Sequence, residues 1–251
     1  MGNEAASMSV SVGAPVRQKA IRSETFYGAL ALLLVLMVFL AFSPTFYLRT
    51  AFNGPPVATL SAIHGILATI WICLVPVQAF LIRAHQRSLH RYLGWFNAVL
   101  AIGIVALTPV VMLRFIPRLL ASNLAPPEQL EVGIAQIFIS DVIALPFFVG
   151  MLIAAMRNRH RASSHQRWIM YASLMLATPA PARGGFIIGL GFAGLLVTPM
   201  LAVVCAIYDR RTLGRVHPST KLCLAVAIGH AVVPLVLSAF SPVVRFVLSL
   251  G

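Results

Sequence analysis

Three ionisable side chains stand inside otherwise apolar stretches of this 251-residue chain: Asp141, Arg183 and His64. A guanidinium can clamp an anion or pair with a carboxylate, and an imidazole can gain or lose a proton near neutral pH. Together the three residue types suit binding of a small polar molecule, or of protons, within an apolar setting. An aspartate at the centre of a membrane span costs about 2.5–3.5 kcal/mol on insertion scales, so an unpaired, lipid-facing Asp141 is excluded. A purely structural Asp141–Arg183 pair that ties two helices together is the competing reading.

His64 opens a series of its own. Trp71 and Gln78 follow at intervals of seven residues, two helical turns each, within the apolar run 59–82. All three therefore fall on one helix face and give it a polar stripe. Such a stripe faces protein or water rather than lipid. Trp71 is too deep for the interfacial aromatic belt and is expected to pack beside His64, whereas Trp95 and Trp168 stand where such belts form.

The elements that must position these groups are membrane helices. The chain is 59% hydrophobic and only 10% charged, against about 25% charged residues in soluble domains. Residues 1–24 read as a polar tail and 25–251 as one transmembrane domain. The apolar runs are 26–42, 59–82, 92–115, 133–156, 168–178, 186–208 and 221–250. An all-α bundle of seven transmembrane helices follows, since about 20 apolar residues span a bilayer. The fifth run is only about 16 Å long at 1.5 Å per residue. Pro179, Pro181, Arg183, Gly184 and Gly185 then interrupt it, so a kinked or unwound end is expected there.

Lysine and arginine set the orientation. The tail and alternate loops hold 14 of them, and the opposite side holds five: Arg49, Arg114, Arg118, Arg183 and Arg245. By the positive-inside rule the N-terminus is cytoplasmic and the C-terminus periplasmic. The net charge of +13 is thereby a topology signal, and nucleic acid is excluded as a partner. The lipid bilayer is the partner the composition demands.

Basic turns recur at 83–90, 157–165 and 210–217, each running from an arginine to a histidine. Hairpins two-three, four-five and six-seven read as three related units with helix one added. The pieces LHRYLGW (89–95), HQRWIMYASL (165–174, then Arg183) and YDRRTLGRVHP (208–218) resemble the signatures of a family of uncharacterised bacterial multi-pass membrane proteins. The resemblance spans most of the chain after residue 55. It implies a polytopic fold in the bacterial inner membrane and carries no activity with it. Trp95 departs from the pattern, where similar proteins often have a basic residue.

Haem b is the cofactor weighed against a ligand pocket. A membrane cytochrome needs axial histidines from different helices at one depth. His64 and His230 differ by roughly 10 Å along the normal. His90 and His165 match better in depth, but both sit in arginine-rich turns. Retinal is excluded, because Lys19 and Lys221 are the only lysines and neither is mid-span. No catalytic motif and no metal-ligand spacing is present. Cys73, Cys205 and Cys223 read as small packing residues, and His85, His160 and His217 as solvated. The glycines from Gly184 to Gly194 read as close-packing positions.

These observations lead to an inner-membrane protein with an outward-facing polar pocket for a small molecule or protons, lined by His64, Asp141, Arg183, Trp71 and Gln78. A b-type haem electron carrier and a non-catalytic subunit of a membrane complex stand as alternatives.

Overall fold

The computed structural model describes residues 13–54, 56–120, 127–187 and 191–251. All regular structure among them is helical. In chain order the helices are α1 (Gly13–Phe42), α2 (Thr59–Arg83), α3 (Arg87–Leu120), α4 (Pro127–Arg157), α5 (Ala162–Leu176), α6 (Pro179–Ile187), α7 (Val197–Leu213), α8 (Pro218–Ser238) and α9 (Ser241–Leu248). A π-helical turn, Ser43–Tyr47, prolongs α1, and a 3₁₀ stretch, Gly191–Leu196, leads into α7.

Five helical segments are long and apolar enough to cross a membrane: Ser23–Tyr47, Thr59–Arg83, Arg87–Leu120, Pro127–Arg157 and Pro218–Ser238. Their outward surfaces carry large apolar side chains, among them Leu40, Phe80, Ile102 and Leu222. Multi-pass helical character is therefore a property of the fold and not only of the composition.

The expected seven helices, the fifth of them broken at its end, differ from the observed elements at three places. The fifth run breaks at Ala177–Thr178 into α5 and α6, because Pro179 cannot donate to the preceding turn. The sixth run is regular α-helix only from Val197. The last run turns at Ala239–Phe240 ahead of Pro242, and α9 then packs Val244 and Val247 on Ile116 and Ile134. At the other end of the chain, α1 begins by Gly13 and so runs through much of the stretch expected to be tail. Residues 1–12 lie outside those described.

Helix ends meet in two groups. Arg83 of α2 reaches Thr25 of α1, and Gln166 of α5 bonds Ser23. His165 bonds Ala155 O, and Arg167 of α5 meets Asp209 of α7. The turns rich in arginine thus gather at one end of the bundle, here termed the basic end. At the far end Arg118 of α3 donates to Pro56 O, and Arg183 of α6 donates to Thr45. Helix α4 is the hub, packed against α3, α5, α8 and α9. It begins six residues before its apolar run, which places Glu128 in its first turn, where a negative charge complements the helix dipole.

The interrupted region is held by backbone contact. A Cβ at Gly194 would overlap Pro181 O, so α6 and the 3₁₀ stretch approach at a distance only glycine allows. Gly194→Ala is expected to force them apart and cost about 1–3 kcal/mol, the usual range for overpacking. Gly184→Ala meets nothing within 4 Å and is the matched control. Unfolding of the two purified variants in detergent checks this. Gly185, Gly189 and Gly191, read with Gly184 and Gly194 as close-packing positions, fall outside the residues whose side chains are described.

Candidate functional site

At the basic end, α5, α7 and α8 converge on one buried ion pair. Arg167 and Asp209 are 2% and 0% exposed and in direct contact. The Arg167 Nε lies 3.2 and 3.3 Å from the two carboxylate oxygens, and Nη2 donates to Oδ1. Nη1 is taken up by Ser163, through its carbonyl at 2.5 Å and its hydroxyl at 2.8 Å. Asp209 Oδ2 also accepts from Thr220 Oγ1 at 2.5 Å and from the His217 N–H at 3.2 Å. The Tyr27 ring of α1 lies 5.4 Å from the guanidinium carbon. Every carboxylate and guanidinium arm is engaged, so this centre is closed to a ligand and acts as a clasp between helices.

Local sequence explains the clasp. Gly214, at φ +71°, ends α7 in a left-handed turn that an L side chain would strain. The chain then doubles back, bringing the His217 N–H onto Asp209. His217 is not simply solvated: it is the N-cap of α8, its Nδ1 accepting from Ser219 N at 3.2 Å. Burial, with Arg167 next, pushes its imidazole below the ordinary value, which keeps the accepting nitrogen unprotonated.

The far end is arranged differently. Arg183 donates to Thr45 Oγ1 at 3.1 Å and lies 4.7 Å from the centre of the Phe42 ring. Asp141 of α4 and Arg118 of α3 both act on it electrostatically, yet Asp141 makes no direct ion pair with it among the described residues. The anticipated Asp141–Arg183 pair is not in direct contact, and among the described residues the guanidinium has no carboxylate in contact.

The other predicted site residues are spread over separate seams. His64 Nε2 is 3.1 Å from Thr108 Oγ1, between α2 and α3. Trp71 is fully buried, edge-on to Phe148 at 5.5 Å, and donates to Ser173 Oγ at 3.4 Å. Gln78 lies toward the basic end beside Gly94, its Oε1 buried without a partner among the described residues, as is the Oδ1 of Asn97 one turn on from Gly94. Of the histidines weighed as haem ligands, His90 and His165 lie close enough to interact electrostatically, and His165 Nδ1 is 2.9 Å from Ala155 O. His230 lies between α8 and α4, its Nε2 2.9 Å from Ser140 Oγ. Among the described residues, no three histidines, cysteines or acids form a group able to hold a metal. The three cysteines are free, with Cys205 and Cys223 buried in the core.

Arg167 and Asp209 escaped the residue-by-residue reading. Arg167 counted only as one more topological charge, and Asp209 lay beside Arg210 and Arg211 at the end of a span. The available signal was the pair of pieces HQRW and YDRR, which carry the family resemblance and supply the two halves of one buried bond.

Compared with protein-family models, curated proteins and solved structures, the chain matches none.

Proposed function

We propose that this chain is an integral protein of a bacterial cytoplasmic membrane, crossing it seven times with the basic end inside. Two crossings are composite, α5 with α6 and the 3₁₀ stretch with α7, because α5 alone, at about 22 Å, is too short to span. The N-terminus is then cytoplasmic, the C-terminus periplasmic, and α9 lies at the outer interface. On this reading the far end holds a polar intramembrane pocket that takes a small anion, or exchanges protons, from outside.

The observation that carries this is the contrast between the two arginines of the α5–α6 element. Arg167 is saturated by Asp209 and Ser163, whereas Arg183 is steadied by Thr45 and Phe42 and has no carboxylate in contact among the described residues. A guanidinium in low-dielectric surroundings seeks an anion, and a charge-assisted hydrogen bond is worth about 1.5–3 kcal/mol. Asp141 nearby offsets the charge when the pocket is empty and offers a site for a co-transported proton.

The test is binding of acetate and inorganic phosphate to the full chain in nanodiscs, followed by calorimetry. Arg183→Gln is expected to weaken binding about ten-fold or more, in line with one lost charge-assisted bond. Asp141→Asn is expected to strengthen it, because a competing negative charge is removed. If the neutral pair Asp141→Asn/Arg183→Gln binds anions and responds to pH as the native chain does, the pocket reading is wrong.

A further inference from the structure

A second polar feature lies on another face of α4. A groove of about 380 Å³ is lined by Glu128, Gln129, Val132 and Gln136. These positions follow helical spacing, and Ser140 continues the same stripe one turn deeper. Exposure falls steadily along it: Glu128 and Gln129 are exposed, Val132 is 37% exposed, Gln136 8% and Ser140 3%. The stripe ends at His230 of α8, which is 1% exposed and hydrogen-bonded to Ser140.

One polar atom of the stripe and one of the histidine at its end lack partners. Gln136 Oε1 and His230 Nδ1 are both buried with no hydrogen-bond partner among the described residues. A buried acceptor without a partner is costly, so it marks a place where something else is meant to donate. The tautomer of His230 follows from its surroundings. Its Nε2 faces the Ser140 carbonyl at 3.2 Å as well as the hydroxyl, and a carbonyl can only accept. Nε2 therefore carries the hydrogen, and Nδ1 is a bare acceptor.

We propose that the α4 stripe is a proton-entry path from the far end of the bundle and that His230 Nδ1 is its terminal acceptor. A hydronium entering by the groove and reaching Nδ1 gives up its proton there and leaves a water, and the imidazole becomes an imidazolium held at Nε2–H by Ser140. Release reverses the same step.

Of the charged groups on elements packed against α8, Glu128 lines the groove itself, and the others are engaged with other partners, exposed or set toward helix ends. On α4, Asp141 couples to Arg183, while Glu128, Glu131 and Arg157 lie in its first two turns and its last. Arg167 of α5 and Asp209 of α7 close on each other, and the Tyr171 hydroxyl donates to Ala202 O. His165 of α5 is held by Ala155 O, and Arg210 and Arg211 lie in the last turn of α7. Arg245 of α9 and Lys221 of α8 are exposed. Cys205 and Cys223 are buried thiols in the main core. None of these groups is hydrogen-bonded to His230 among the described residues.

The inference goes beyond the Arg183 pocket and does not depend on it. Exchange of the imidazole C2 hydrogen for deuterium, read by mass spectrometry on the full chain in nanodiscs, tests it. That exchange requires both solvent access and protonation of the ring. His230 is expected to exchange in the folded protein with a sigmoidal dependence on pH. Val132→Trp, at an exposed position that does not endanger folding, and Gln136→Leu are each expected to slow it several-fold. His160, on an exposed turn, should keep its rate in both variants. Absence of exchange at His230 in the folded chain, or unchanged rates in both variants, overturns the proposal. Arg183→Gln should leave His230 exchange intact, so failure of the anion pocket and failure of this path give different results.

Discussion

Arg167→Ala is expected to destabilise the folded chain by about 3–5 kcal/mol, the range seen when one partner of a buried ion pair is removed. The loss comes less from the attraction forgone than from what remains. Asp209 would be 0% exposed with its guanidinium gone, keeping only Thr220 Oγ1 and the His217 N–H as donors. A carboxylate in that position must ionise without a counter-charge or take up a proton. Ser163 would lose both of its contacts to Nη1 as well. The paired replacement Arg167→Met/Asp209→Leu keeps the volume, removes both charges and is expected to recover most of the loss. Denaturant titration of the purified variants in detergent checks this. Equal destabilisation by the single and the paired changes would show that the clasp matters for its hydrogen bonds to Ser163 and Thr220 and not for charge balance.

Trp71→Ala is the second large effect, expected at about 3–5 kcal/mol, as for other fully buried large aromatics. Trp71 is 1% exposed and sits in the main core with Phe148, Met151 and Met170. Deleting the indole opens a cavity between α2, α4 and α5, and the packed helices refill it only in part. Trp71→Phe keeps most of the apolar volume and the edge-on approach to Phe148, so it should cost clearly less. Its lost hydrogen bond to Ser173 is long, at 3.4 Å, and contributes at most about 1 kcal/mol. Measuring acetate affinity beside stability separates packing from ligand contact. A packing residue loses stability in both variants with affinity retained in Trp71→Phe, whereas a pocket residue loses affinity in both.

Much of the architecture was legible because apolar run length and arginine placement are long-range averages. The helices 59–83, 87–120 and 127–157 fall where the apolar runs do, and the arginine-rich turns gather at one end. What was not legible depends on single contacts. His64 was placed in an outer pocket on depth alone, and its bond to Thr108 of α3 follows from a helix rotation that hydropathy does not encode. Asp209 looked like a flanking charge because its neighbours Arg210 and Arg211 are such charges. Its burial depends on the turn at Gly214 that returns α8 alongside. Gln136 and Ser140 drew no notice, since uncharged polar residues lower hydropathy little, yet they form the stripe leading to His230.

The joint at Ala177–Thr178 has a mechanical consequence. The α5–α6 element is riveted at its base through Arg167 and free of a carboxylate contact at its tip through Arg183, with the joint between. At the joint the Thr178 N–H and hydroxyl both turn back to Met175 O, so the regular ladder that would transmit bending is absent. Between Arg183 and the clasp the helix ladder is therefore interrupted at Thr178 and Pro179. Gly194 sets α6 tightly against the 3₁₀ stretch, so the two short segments are held to each other as well as to α1. The bundle is thus tied across its helices by a charged clasp at one end, whereas at the other the broken element is held by close backbone packing and by Arg183 on Thr45 and Phe42.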